Sequence, residues 1–250
     1  MSWVETESPS FLARHVTADD EDLVALLELL EDTRTYLAGA LGAVPEEPIE
    51  VVVHPSRAQL YAAQPQLALA VRLTAPAARR YLTGWANTGT LHLLAPRLLR
   101  ASRVPGSREM AMRAPAALYA RVALARVNPR LPPPLRFRSR GSLGRWAWLA
   151  AGAAQWLGGQ TEYARPAINR RLKEGGRPSF PPGIRDAVLL GGSVIDLIAQ
   201  EEGEQAALDF VTSAGHGDPA RELVHAFRGR GMVHIEGTWR AHVARLAGQA

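Results

Sequence analysis

The feature that most constrains this chain is the order of its segments, because every strand-like segment lies before residue 96 and the rest is helix-like. Segment 11–16 alternates well enough for a strand, and segment 48–54 is a β-branched run bounded by prolines, so both are predicted strands. Asn and Gly within 86–89 predict the turn of a β-hairpin over 81–96. A chain with its strands first and its helices afterwards favours an α+β fold.

Helical periodicity accounts for the other segments. Apolar residues recur every three or four positions from Asp20 to about Ala40, and Gly42 is the expected stop signal. Ser56 is the predicted cap of a short helix over 57–63. A polar connector is predicted from the prolines at 132–134 and the stretch from Arg136 to Arg145. The helices predicted in the second half are 107–127, 146–158, 184–200, 203–214, 218–228 and 236–247.

The length of 250 residues allows one large domain or two small ones. The change from strands to helices places a boundary near 96–106. We therefore predict an N-terminal α+β subdomain with strands and a hairpin over 1–100, followed by a helical subdomain over 101–250. No internal repeat is visible.

Composition excludes several classes of site and of location. The chain has no cysteine, so a disulfide framework, a thiolate zinc site, a cysteine nucleophile and an iron–sulfur cluster are all excluded. No stretch of about 20 apolar residues exists to cross a bilayer. The N-terminus carries two acids before any arginine and no apolar run, unlike a signal peptide. We predict no membrane insertion and a cytoplasmic location, unless a leader has been removed.

Arginine gives the chain its basic character. The net charge is +5, yet the segment from Arg97 to Trp146 holds twelve arginines and one acid, Glu109, whereas residues 1–96 carry a net charge of −6. The arginines are expected to lie in solvent, to pair with acids of residues 1–50, or to face a polyanion. We predict only weak, non-specific nucleic-acid binding that falls as salt rises, as counterion release requires.

Several short phrases follow one another in an order that is typical of one enzyme family. They are VVVHPSRAQL at 51–60, GWANTGTLHLL at 84–94, WLAAGAAQW at 148–156, and the helical segments 193–215 and 236–248. This order resembles the peptidase-MA-like branch of the gluzincin zinc metallopeptidases and covers nearly the whole chain. The resemblance implies one metallopeptidase-like domain, in which a helix bearing His-Glu-x-x-His lies beside a second helix bearing a glutamate.

The resemblance implies that AALYA at 116–120 stands where the His-Glu-x-x-His motif belongs. In that family two histidines four residues apart bind zinc, and the glutamate between them polarises the zinc-bound water. Here Ala116 and Ala120 replace the two histidines, and Ala117 replaces the general base. No other register restores the motif, because residues 110–127 contain no histidine.

The second helix has lost its acids as well. By the same resemblance, Ala151 stands at the third zinc ligand and Gln155 replaces a further acid. The seven histidines of the chain include no pair four residues apart. Alanine can neither coordinate a metal nor move a proton, so we predict no metal, no cofactor and no catalytic residue.

The first of three functional hypotheses is a non-catalytic pseudopeptidase that holds a peptide or a protein partner in the family's substrate cleft. Tyr119, Gln155 and Arg113 are the candidate residues lining that cleft. The second is an active metallohydrolase with unrecognised ligands, and the third is a protein that binds anions or nucleic acid through the Arg-rich segment 97–145. The sequence favours the first.

Overall fold

The computed structural model describes residues 2–99, 104–131 and 140–248, with backbone alone at 140–143. Five strands come first: β1 (Trp3–Glu7), β2 (Phe11–Val16), β3 (Ile49–His54), β4 (Gly84–Ala86) and β5 (Thr90–Leu94). The helices before residue 100 are α1 (Asp20–Leu41), α2 (Arg57–Ala63), α3 (Pro65–Leu73) and α4 (Pro76–Arg79). The later ones are α5 (Ser107–Met112), α6 (Ala114–Val127), α7 (Arg140–Leu157), α8 (Arg165–Lys173), α9 (Ala187–Glu202), α10 (Glu204–Ser213), α11 (Pro219–Ala226) and α12 (Met232–Leu246).

The strands form one mixed sheet in the order β1-β2-β3-β5-β4. The central pairs β2–β3 and β3–β5 are parallel, whereas β1–β2 and the β4–β5 hairpin are antiparallel. Alternate residues of β3, Ile49, Val51 and Val53, are buried, as a strand covered by the core requires. The α+β prediction is confirmed, and β4 is an outer strand of the sheet.

Local signals explain where the first elements begin and end. Helix α1 ends at Gly42, whose positive φ of 70° suits glycine best. The Ser56 side chain accepts a hydrogen bond from the Gln59 backbone N–H and so caps α2. The sequence predicts the end of α1 at Gly42, the cap of α2 at Ser56 and the β4–β5 hairpin.

One hydrophobic core joins the sheet to the later helices. Helix α6 packs between α1 and α7, and α7 packs along α9, which also contacts α8, α10 and α12. Helix α6 also contacts β4 and β5, so it lies next to the hairpin. The proposed boundary near residue 100 falls on 100–103, outside the described residues.

Two helix bounds in the middle of the chain differ from the prediction. The helix predicted over 107–127 is divided at Arg113, because Pro115 supplies no backbone N–H to continue the ladder from α5. Helix α7 begins at Arg140 instead of Trp146, so residues 140–145 of the predicted polar connector are helical. Gly141 and Gly144 weaken the helix signal there, which is why the sequence predicts a later start. The connector residues 132–139 lie outside the described ranges.

None of the helices within the described ranges combines the length and the apolarity that a bilayer-spanning helix needs.

Candidate functional site

A pocket lies where the entrance to the hairpin meets α6 and α7. Its volume is about 80 Å³. It is lined by segment 81–84, by Ala117, Leu118 and Arg121 of α6, and by Ala151, Ala154 and Gln155 of α7. This arrangement arises because Gly158, just after α7, lies against the backbone of Ala117, so the end of α7 meets the start of α6. The next turns of the two helices then face each other beside β4.

Three of the residues singled out in the sequence come together in this pocket. Ala117, Ala151 and Gln155 all line it. Ala116 and Ala120 are fully buried but are not among its lining residues. The two alanines assigned to the histidine positions therefore do not meet Ala151 there.

The reason is helix geometry. Each residue turns about 100° around an α-helix, so residues four apart share a face whereas neighbours do not. Ala117 and Arg121 are four residues apart on α6, and both line the pocket together with Ala151. This pair lies one residue later in the chain than Ala116 and Ala120. If the family resemblance holds, the motif positions correspond to ALYAR at 117–121.

The other two cleft candidates lie elsewhere. Tyr119 is fully buried, and its ring packs edge-on against Phe11 of β2 with the ring centroids 5.1 Å apart. Burial raises the pKa of Tyr119 to about 12. Arg113 lines a second cavity, of about 320 Å³, between α1, β5 and α5. Thr83 lines both cavities, so the two lie side by side.

Arg121 is the residue that sequence reasoning missed. Its Nε atom is buried without a hydrogen-bond partner, while the residue as a whole is partly exposed. Burial lowers the pKa of Arg121 to about 10, and no acidic neighbour opposes that shift. The signal was available, because Arg121 is the one charged residue on the α6 face that Ala117 and Leu118 share.

Three other polar side chains of the pocket already have partners. The Tyr81 and Ser107 hydroxyls lie 2.8 Å apart, the Gln155 amide donates to the Val188 carbonyl oxygen, and the Gln160 amide donates to the Met110 carbonyl oxygen at 2.8 Å. These bonds fix the walls of the pocket, so the Arg121 guanidinium and the Thr83 hydroxyl are the polar groups left to contact a ligand.

A metal centre finds no ligand set in the described part of the chain. No group of three or more His, Asp or Glu side chains is placed there so that it could hold an ion. The pocket wall offers alanine methyl groups and a guanidinium where zinc would need imidazole or carboxylate.

Two histidines form a separate polar pair on the sheet. His54 of β3 and His92 of β5 have their rings stacked 5.4 Å apart, with His54 Nε2 3.1 Å from His92 Nδ1. Burial, reinforced by His92, lowers the pKa of His54 to about 4. Burial also lowers the pKa of His92, although nearby Glu50 opposes that shift.

This depressed pKa predicts a loss of stability in acid. Below its ordinary pKa of about 6.5, the unfolded chain binds a proton at His54 that the folded chain does not. The free energy of unfolding should therefore fall as the pH drops from about 6.5 towards 4, by about 2–3 kcal/mol from this residue. Chemical denaturation of the wild type and of His54→Gln at both pH values measures the difference. Parallel pH profiles of the two proteins would contradict it.

The Arg-rich segment is divided among several environments. Arg97 Nε lies 2.6 Å from Asp19 Oδ1, which is one of the pairings expected with acids of residues 1–50. Arg108 and Arg126 are exposed, and four further arginines lie outside the described residues. Binding of a polyanion therefore stays a prediction.

Comparisons with known proteins do not assign a family or a function to the chain. No protein family, no curated protein and no solved structure matches the chain. The likeness to gluzincin metallopeptidases therefore stays a prediction.

Proposed function

We propose that this protein is a non-catalytic binding protein with a metallopeptidase-like fold, which holds a peptide or protein partner at the pocket between β4, α6 and α7. The observation that carries the proposal is the composition of the facing helix surfaces. Ala117 and Ala151 offer methyl groups there, and Arg121 offers a cation. A binding surface of this kind has shape and charge but no group that activates water.

The chemistry of these side chains supports binding over hydrolysis. A zinc hydrolase needs neutral imidazole or carboxylate ligands and a general base beside the bound water. A methyl group does neither task, and the positive charge of Arg121 repels a divalent cation. Gln155 cannot act as a base, and its amide is engaged with Val188.

The position of the pocket fits an extended ligand. Strand β4 is the outer strand, with β5 as its strand partner in the sheet, and Gly84 of β4 lines the pocket. The second cavity, which includes Arg113, adjoins it through Thr83. A peptide lying along this side of the hairpin would contact both cavities.

We expect the purified protein to hold no stoichiometric zinc and to cleave no peptide. The reason is the loss of every imidazole and carboxylate at the pocket. Elemental analysis after dialysis against a weak chelator measures the zinc content. A fluorogenic peptide library, offered as substrate, measures cleavage. One zinc per chain, or cleavage that a strong chelator abolishes, would favour the metallohydrolase hypothesis instead.

A rebuilt ligand set provides the positive control. The triple variant Ala117→His, Arg121→His and Ala151→Glu should bind one zinc per chain if the helices are arranged as in a gluzincin enzyme. The matched control moves the histidines one residue earlier, to Ala116→His and Ala120→His with Ala151→Glu, and should bind none. Equal zinc content in the two variants would contradict the placement of the site.

A further inference from the structure

The pocket contains a cation whose charge nothing nearby balances. Among the described residues, the Arg121 guanidinium has no hydrogen bond and no ion pair, and its Nε is out of contact with solvent. The residues outside the description include arginines but no aspartate or glutamate. No acidic side chain of this chain is therefore left to neutralise Arg121.

Such an arrangement is unfavourable in the absence of a ligand. The Nε end of the Arg121 guanidinium has lost its hydration and gains no partner in return, although the side chain is partly exposed. Elsewhere in the chain, a buried arginine has a matched acid: Arg171 pairs with Asp186 through two hydrogen bonds. An arginine kept unpaired at a pocket wall is typical of a binding site whose partner comes from outside.

We propose that Arg121 binds a carboxylate group of the ligand, with the C-terminal carboxylate of a peptide as the favoured source. The inference rests on the proposed binding function and names the chemical group recognised at that site. The guanidinium presents parallel N–H donors that match the two oxygens of a carboxylate.

The size and the walls of the pocket select a carboxylate over a larger anion. A volume of about 80 Å³ has room for roughly five water-sized groups, at about 15 Å³ each. This holds a carboxylate and the first carbons attached to it. Ala114, Leu118 and Ala154 form apolar walls, which suit a short alkyl group. One guanidinium balances one negative charge, whereas a phosphate dianion would leave further oxygens against methyl groups.

Calorimetry with matched probes tests the ligand group on the wild-type protein. The probes are N-acetyl-trialanine as its free acid, the same peptide as its C-terminal amide, sodium acetate and inorganic phosphate, all in low-chloride buffer. We expect the free acid to bind at least tenfold more tightly than the amide. Acetate binding as tightly as the peptide acid would support the carboxylate site and assign it to small free acids.

Variants of α6 test the residue. Arg121→Met keeps the length of the side chain without its charge, and should weaken binding of the peptide acid at least tenfold. It should also raise the Tm of the ligand-free protein, by about 2–4 °C, because an unpaired charge is removed. The exposed Arg126→Met on the same helix is the matched control and should change neither. Arg121→Lys, which keeps the charge but loses the paired donors, should bind with intermediate affinity.

Two outcomes would overturn the inference. One is equal binding of the acid and the amide by the wild type, and the other is unchanged acid binding by Arg121→Met. In either case, peptide binding that persists would leave the proposed binding function intact. Failure of the carboxylate inference can therefore be told apart from failure of the proposed function. Phosphate binding tighter than that of any carboxylate probe would also reject the carboxylate assignment.

Discussion

Replacing Asp186 with alanine is expected to lower the free energy of unfolding by about 3–5 kcal/mol, because it breaks a buried ion pair. Arg171 Nε lies 2.5 Å from Asp186 Oδ1, and Nη2 lies 2.9 Å from Oδ2. The side chains are only 4% and 7% exposed. Without the carboxylate, the Arg171 guanidinium would keep one hydrogen-bond partner, the Gly175 carbonyl oxygen, and the weaker electrostatic attraction of Glu174. Urea denaturation of the wild type and of Asp186→Ala measures the loss.

An exposed pair on the sheet provides the control. Arg14 Nε lies 3.4 Å from Glu5 Oε1, and the two side chains are 49% and 62% exposed. Arg14→Ala should therefore cost less than about 1 kcal/mol. The double variant Arg171→Met with Asp186→Leu should regain most of the stability lost by Asp186→Ala, since neither charge remains buried. A loss below about 1 kcal/mol for Asp186→Ala would show that the pair contributes no more than a surface contact.

Arg171 and Arg121 differ in whether their charge is matched by an acid, and we expect them to differ in their effect on stability. Arg171 is buried and matched, and hydrogen bonding to Asp186 raises its pKa. Arg121 has a buried, unmatched Nε, and burial lowers its pKa to about 10. Removal of Asp186, the partner of Arg171, should destabilise the protein, whereas removal of the Arg121 charge should stabilise it. Opposite signs of this kind would support the proposal that Arg121 is retained for binding.

The strands and the capped helices were predictable because their signals are local. The β-branched run of β3, the Asn-Gly turn of the hairpin and the glycine after α1 each depend on a few neighbouring residues. Four elements were missed for lack of such signals. Helix α3 follows α2 almost without a break, α4 is only four residues long, α8 is mostly polar, and β1 is a short, exposed strand at the edge of the sheet.

The register of α6 could not be predicted in the same way. The segment 114–124 contains five alanines, which form a helix on any face and therefore say little about which face is inward. Packing of α6 against α1, α7 and the hairpin decides that Ala117 and Arg121, instead of Ala116 and Ala120, line the pocket. The register implied by the family resemblance differs from this pair by one residue, which is a rotation of about 100° around the helix.

Close contact of α7 with α9 predicts a second large effect. The helices meet at Gly152 and Gly191, where a Cβ added to either residue would overlap the backbone of the other helix. Gly152→Ala should therefore force the helices apart and lower the free energy of unfolding by about 3 kcal/mol. The shift should also loosen the pocket, because Ala151 and Gln155 flank this contact on α7. Denaturation curves give the first effect, and peptide binding gives the second.

A glycine on an exposed helix surface gives the opposite expectation for the same substitution. Gly237 lies within α12, is exposed, and has no atom within 4 Å of the position of an added Cβ. Gly237→Ala should raise the free energy of unfolding by up to about 1 kcal/mol, since alanine has the higher helix propensity. The two variants add the same methyl group to a helix, so their difference measures packing alone. A gain in stability at Gly152 as well would mean that α7 and α9 do not approach as closely as described, and the pocket wall formed by α7 would then be misplaced.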